Sequence, residues 1–297
     1  MSNQVGIVVV TYNRLQLLKE VIESLRAQTM KDYDIVIVNN GSTDDTPNWL
    51  EKQADIITIT QENLGGAGGF HTGMKYVAEH GYEYCWVMDD DVVCNPTALE
   101  ELIKAYNAVP EAGFVCSRVV GINGKPMNTP TALGAYKDGD YTDTFELVNE
   151  HQMVRVTTAT FVSVLIKTNI IRSIGLPYKE FFIWGDDTEY TQRISNKYRC
   201  FVACKSEVLH KRRIQKSLSV YEETDENRLP NYFYQIRNSN FLKYRKLSKR
   251  AKLGMIRRGY KNAFNLWLKG DKTRAQILFR AYKSLLSFNP QINYPIS

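Results

Sequence analysis

The first hundred residues alternate between two hydrophobic periods. Val5–Val10 is an unbroken, β-branched run, after which Leu15, Leu18, Val21, Ile22 and Leu25 recur at the spacing of a helix buried along one side. Tyr33–Val38 reads as a second strand. Asp44–Gln53 reads as a helix with acids in its first turn and Pro47 where proline is tolerated. Ile56–Ile59, Gly66–His80, Tyr84–Met88 and Pro96–Tyr106 continue the alternation of strand and helix. Strands separated by helices at this spacing predict a mostly parallel sheet flanked by helices. From Gly121 to Glu150 the pattern weakens into glycine, proline and polar residues, which predicts loops or a hairpin. Strand signals return at Thr160–Ile166 and Arg199–Cys204. Between them the aromatic stretch Tyr178–Trp184 leads into Gly185-Asp186-Asp187-Thr188-Glu189-Tyr190 and a helical stretch to Tyr198. Residues 230–288 predict two or three amphipathic helices, with Gly270 breaking the last pair. The expected organisation is an α/β domain over residues 1–228 and a helical extension over 229–297.

Ligands of parallel sheets gather beyond the carboxyl ends of the strands, and here the residues that follow each strand are chemically distinctive. Thr11-Tyr12-Asn13-Arg14 follows the first and Asn39-Asn40-Gly41-Ser42-Thr43-Asp44 the second. Asn63-Leu64-Gly65-Gly66-Ala67-Gly68-Gly69 follows the third, and Asp89-Asp90-Asp91 the fourth. Such an acid cluster repels itself unless a cation sits within it. Asp89 and Asp91, two apart on an extended backbone, point the same way and offer hard oxygen ligands to Mg²⁺ or Mn²⁺. The same triplet also reads as an acidic turn capping the helix that starts near Pro96. Glycines leading into a helix expose amides that favour an anionic group, or form only a flexible loop. For Asp186 and Asp187 a structural role is available too, because acids at a helix N-terminus are favoured by about 0.3–1 kcal/mol.

Composition narrows the setting. At 43% apolar and 24% charged residues the 297-residue chain is globular, and no apolar run approaches the roughly 20 residues of a membrane span. Met1-Ser2-Asn3-Gln4 passes directly into the first strand without a signal-peptide core, so a cytoplasmic location is expected, including the inner face of the cell membrane. The five cysteines include no zinc-type pair and are expected to be buried free thiols. The net charge of +6 is unevenly spread: residues 243–283 carry fourteen Lys or Arg against the single acid Asp271, so this segment is +13 and the remainder −7. Phe264, Leu266, Trp267, Leu268, Ile277, Leu278, Phe279, Leu285, Leu286 and Phe288 interleave with those charges. The segment reads either as solvated faces of a helical bundle or as a peripheral membrane contact through 243–288. Nucleic acid is not expected as a partner, because no known nucleic-acid motif accompanies the basic segment and the rest of the chain is acidic.

Taken together, Val9–Arg14, Val38–Asp44, Asn63–Phe70, Asp89–Asp91 and Trp184–Tyr190 resemble, in order, the motifs of the family 2 glycosyltransferases, which are inverting enzymes with the GT-A fold. The Gly-Gly-Ala-Gly-Gly-Phe and Trp-Gly-Asp-Asp stretches are similar to the galactofuranosyltransferase and rhamnosyltransferase branch. The resemblance implies a Rossmann-like GT-A domain with a C-terminal helical extension. It implies a UDP- or dTDP-sugar donor, such as UDP-galactofuranose or dTDP-rhamnose, and a glycan or lipid-linked glycan acceptor. By resemblance Thr11, Asn13, Arg14, Asn40, Asn63, Gly65, Gly66 and Asp90 line the nucleotide-sugar site. Asn40 stands where most of the family has an aspartate, and an amide still pairs with a uracil or thymine edge. Asp89 and Asp91 match the metal pair, and His210 matches a histidine that completes the metal shell. Asp187 matches the catalytic base, supported by Asp186, Glu189 and Trp184. The competing readings are a sugar nucleotidyltransferase, which typically wants a more basic loop after the first strand than Arg14 supplies, and a non-catalytic nucleotide- or glycan-binding module.

Overall fold

The computed structural model describes residues 4–132, 146–212 and 219–296. By contact density the chain divides into two units. One comprises Met1–Lys179, Asp187–Gln215 and Ile292–Ser297; the other comprises Glu180–Asp186 and Lys216–Gln291.

The first unit is built on a ten-stranded sheet. Its strands are β1 (Val5–Thr11), β2 (Tyr33–Asn39), β3 (Ile56–Thr60), β4 (Tyr84–Asp89), β5 (Val92–Cys94), β6 (Val115–Gly121), β7 (Thr131–Ala132), β8 (Met153–Thr158), β9 (Val164–Lys167) and β10 (Cys200–His210). They run in the order β3-β2-β1-β4-β9-β6-β10-β8-β7, with β5 paired to β10. β1 to β4 are parallel, and β6 is parallel to β10; β9 lies antiparallel between β4 and β6. The mostly parallel sheet with flanking helices is the expected GT-A architecture.

Alternation along β1 shows how the layers form. Val5, Ile7 and Val9 face one core with Leu18, Val21, Ile22 and Leu25 of α1 (Leu15–Arg26) and Leu99 and Leu102 of α4 (Ala98–Ala108). Val8 and Val10 face the other with Phe70, Met74 and Val77 of α3 (Gly65–Glu79), Ile170 and Ile171 of α5 (Thr168–Ile174), and Tyr190 and Ile194 of α6 (Asp186–Ser195). The short α2 spans Thr46–Leu50.

Two local expectations change, and two strands stand where the sequence predicts no element. The expected strand Thr160–Ile166 begins only at Val164, after a turn. β6 and β8 carry no clear strand pattern, since Ser117 and Arg118 interrupt one and Arg155 and two threonines the other. Buried Ser117 is nevertheless accommodated, because its hydroxyl lies 2.7 Å from those of both Ser163 and Ser206. The acid triplet does not cap α4: β5 intervenes and the helix begins at Ala98. All five cysteines are unpaired, four of them buried.

The second unit contains α7 (Tyr232–Tyr244), α8 (Lys249–Leu268) and α9 (Lys272–Leu285). Ser248 and Asp271 cap the last two by accepting from the amides of Ala251 and Arg274. Its core contains Val220, Leu229, Tyr232, Ala263, Ile277 and Leu278, with Trp184 packed against it. No helix among the described residues is long and apolar enough to cross a membrane.

Candidate active site

The carboxyl ends of β1, β4 and β10 bring the predicted acids and His210 together. Asp89 ends β4 and the chain turns at Asp90–Asp91 before β5, so the expected extended backbone between Asp89 and Asp91 is not what aligns them. The turn and the end of β10 do so: ligand atoms of Asp89, Asp91 and His210 all lie within 4.8 Å of one another. Nε2 of His210 is 3.1 Å from Oδ1 of Asp91, yet that buried oxygen accepts no hydrogen bond. Two carboxylates and an imidazole around an unsatisfied oxygen fit a hard divalent cation such as Mg²⁺ or Mn²⁺.

The middle acid has a different task. Oδ2 of Asp90 accepts from the Thr11 hydroxyl at 2.8 Å, and Oδ1 from Nη1 of Arg14 at 3.1 Å. The same Nη1 lies 3.2 Å from Asp91. Arg14 therefore supplies a fixed positive charge beside the cluster, on a side chain that remains half exposed. Burial raises the Asp90 carboxyl to about 6, despite Arg14 and Thr11. Burial also pushes Asp89 well above the carboxylate range, reinforced by the charges of Asp91, Asp90 and Asp187. Asp91 moves the other way: His210 and Arg14 outweigh its burial and hold it below the usual value. A bound divalent cation would favour the charged form of both ligands.

Asp187 lies in the first turn of α6 and is near enough to Asp89 for their charges to interact. Its Oδ1 accepts from the amide of Thr188 at 2.5 Å and from the Thr188 hydroxyl at 3.1 Å. Burial still raises its carboxyl above the ordinary range, which makes the ionised form a stronger base. Asp186 precedes it and is buried. Glu189 is buried and paired at 2.7 Å with Arg193, which in turn donates to the carbonyls of Ile174 and Leu176. That pairing makes Glu189 an anchor of α6.

The loop entering α6 is held unusually firmly. Phe182 and Trp184 have φ of +63° and +64°, a region that disfavours aromatic residues. The Asn238 side-chain amide donates to the carbonyls of Phe181, Ile183 and Trp184, and Arg237 donates to those of Glu180 and Phe181. These bonds from α7 stabilise a strained backbone, a feature that tends to cluster at functional sites.

On the β2 and β3 side, the predicted nucleotide residues mostly bind one another. Asn13 accepts through Oδ1 from the amides of Thr43 and Asp44. Asn40 is buried; its Nδ2 donates to the Gly65 carbonyl at 2.8 Å, and its Oδ1 accepts from Gln61 and the Leu64 amide. Asn63 accepts from the Gly65 amide at 2.9 Å. The glycine run is the first turn and a half of α3, and its residues divide by role. A Cβ at Gly69 would lie 2.3 Å from Val10 Cγ1, and one at Gly73 would lie 2.3 Å from Val8 Cγ1, so these glycines let α3 sit close on β1. A Cβ at Gly66 would meet nothing within 4 Å. One participant has no signal in the sequence: Asn128, an isolated polar residue in the expected loop region, contacts His210.

The model of glycosyl transferase family 2 matches residues 6–165, and the chain belongs to that family. It is a glycosyltransferase. It is 27% identical over 217 residues to the galactofuranosyltransferase GlfT1 of Mycobacterium tuberculosis, covering 69% of this chain and 68% of that one. It is 24% identical over 170 residues to a poly-beta-1,6-N-acetyl-D-glucosamine synthase of Staphylococcus aureus, covering 55% of this chain and 39% of the synthase. Among solved structures, S. aureus TarS superposes with a TM-score of 0.57 at 15% identity, over 84% of this chain and 41% of TarS. A TarS structure in complex with UDP-GlcNAc gives 0.56 at 15% identity, over 84% and 69% of the two chains. The structural likeness shows a shared fold.

Proposed function

We propose that this chain is an inverting, metal-dependent glycosyltransferase that takes its sugar from a UDP or dTDP donor and passes it to a surface-glycan acceptor, including a lipid-linked one. The observation that carries the reading is the convergence of Asp89, Asp91 and His210 within 4.8 Å, with Asp187 in charge contact. The 27% identity to a galactofuranosyltransferase favours UDP-galactofuranose as donor, with dTDP-rhamnose second. Asp89, Asp91 and His210 would hold Mg²⁺ or Mn²⁺, which when bound supplies Lewis-acid neutralisation of the departing diphosphate.

The protein's own residues account for the remainder. Asp187, raised by burial, takes the proton of the acceptor hydroxyl while that oxygen attacks the anomeric carbon opposite the leaving nucleotide. Single displacement inverts the anomeric centre. Thr11 and Arg14 hold the Asp90–Asp91 turn, while Asn40 and Asn63 hold the loop that ends at Gly65. The open space at Gly66 leaves room for the donor's sugar or ribose. Asp187→Asn keeps the shape and loses the base. Transfer is expected to fall by about 10²–10⁴-fold, with donor affinity, measured by calorimetry, unchanged. Retained turnover would remove Asp187 from the role of base.

The same reading extends to the membrane. Of the apolar residues interleaved with charge in 243–288, Ile277, Leu278 and Leu285 are buried in the helical unit, whereas Phe264, Trp267, Leu268 and Leu286 are exposed. Leu253, Phe264, Trp267 and Leu268 fall within about 100° of arc on α8. Exposed Arg257 lies within that arc and exposed Lys261 beside its edge. This face suits the headgroup region of an anionic membrane, where each basic residue contributes about 1 kcal/mol.

A further inference from the structure

We infer that Asn128 is a positioning residue for the metal site: it fixes the tautomer and ring plane of His210 and so sets the affinity of the Asp89–Asp91–His210 cluster for a divalent cation. The inference rests on the reading of that cluster as a metal site and adds a residue that lies outside the matched motifs.

The argument begins with a hairpin at the end of β6. Gly121 donates to the Lys125 carbonyl, Gly124 to that of Gly121, and Met127 to that of Val119. Val120 and Pro126 form an antiparallel bridge, and Met127 is 7% exposed against the sheet core. The chain is thus folded back on β6 and pinned one residue before Asn128. On its other side, β6 pairs Gly121 with His210. Asn128 sits at φ +47°, a left-handed conformation that asparagine tolerates better than most residues. From there its Oδ1 lies 2.9 Å from Nδ1 of His210.

An amide oxygen only accepts, so Nδ1 of His210 carries the proton. In the neutral ring Nε2 then presents its lone pair, and it does so 3.1 Å from Oδ1 of Asp91. A cation bound beside the unsatisfied Asp91 oxygen would therefore be shared between that oxygen and Nε2 of His210. A metal-bound histidine whose second nitrogen donates to an outer oxygen is the usual way such a ring is oriented, and losing the outer partner typically costs about 10–100-fold in metal affinity.

The test is a titration of the full-length protein with Mn²⁺ alone, following free Mn²⁺ by electron paramagnetic resonance. Asn128→Gly keeps the left-handed backbone and removes the acceptor; Asn128→Asp keeps an acceptor. The expected result is a rise in the Mn²⁺ Kd of about 10–100-fold for the glycine variant and of no more than a few-fold for the aspartate variant. Long-range ¹H–¹⁵N spectra of the metal-free protein should show His210 protonated at Nδ1 in wild type, with that preference lost in Asn128→Gly. Equal Mn²⁺ affinity in wild type and Asn128→Gly overturns the role of Asn128 and leaves the metal site standing. Absence of Mn²⁺ binding by wild type removes the metal reading itself, and this inference with it.

Discussion

Arg14 shows how one side chain can stand in for part of a missing charge. Three aspartates in sequence need positive charge nearby, and Arg14 reaches two of them with a single nitrogen. Its half-exposed side chain limits that contribution to about 1 kcal/mol or less. Arg14→Gln should therefore lower the melting temperature modestly in EDTA. Added Mn²⁺ should recover more stability in the variant than in wild type, because the cation relieves a larger residual repulsion. An identical Mn²⁺ shift in both proteins would mean that Arg14 does not share in compensating the cluster. The neighbouring acids divide the work in the same local way. Asp90 is committed to Thr11 and Arg14, which leaves Asp89 and Asp91 as the proposed metal pair.

At the level of elements, α3 carries two kinds of glycine that look alike in sequence. Gly69→Ala would drive a methyl group to 2.3 Å from Val10, and overpacking of this kind typically costs about 1–3 kcal/mol. Gly66→Ala meets no protein atom and should leave the melting temperature level or slightly higher, while raising the KM for donor if the sugar passes there. Thermal denaturation and donor kinetics of the two variants separate the roles. A stable Gly69→Ala would contradict the close-packing account. The sequence made β1 to β4 and their helices legible because each has an unbroken period. It hid β6 and β8, whose polar residues are accommodated by distant partners such as Ser163 and Ser206 for Ser117. The acid pair, Asp187 and His210 were readable as types at strand and helix ends. Their convergence depends on a turn at Asp90–Asp91 that alternation does not predict, and Asn128 depends on a hairpin whose residues carry only a generic turn signal.

Across the whole molecule, charge is segregated: +13 over residues 243–283 and −7 elsewhere. Deleting the helical extension is a poor test of membrane attachment, because Ala263, Ile277 and Leu278 form the core of its unit. Replacing exposed Leu253, Phe264, Trp267 and Leu268 with serine leaves that core intact. Co-sedimentation with vesicles rich in phosphatidylglycerol should then fall markedly; unchanged sedimentation would rule out this face as the attachment surface. The central claim is a metal-dependent nucleotide-sugar site at the carboxyl edge of the sheet, and the most direct test is a calorimetric panel. UDP, dTDP, GDP and CDP are titrated with and without Mn²⁺ into wild type and into Asp91→Asn. The account predicts binding by UDP or dTDP that strengthens with Mn²⁺ in wild type and loses that dependence in the variant. Binding by none of the four, or binding indifferent to both Mn²⁺ and Asp91, would contradict it.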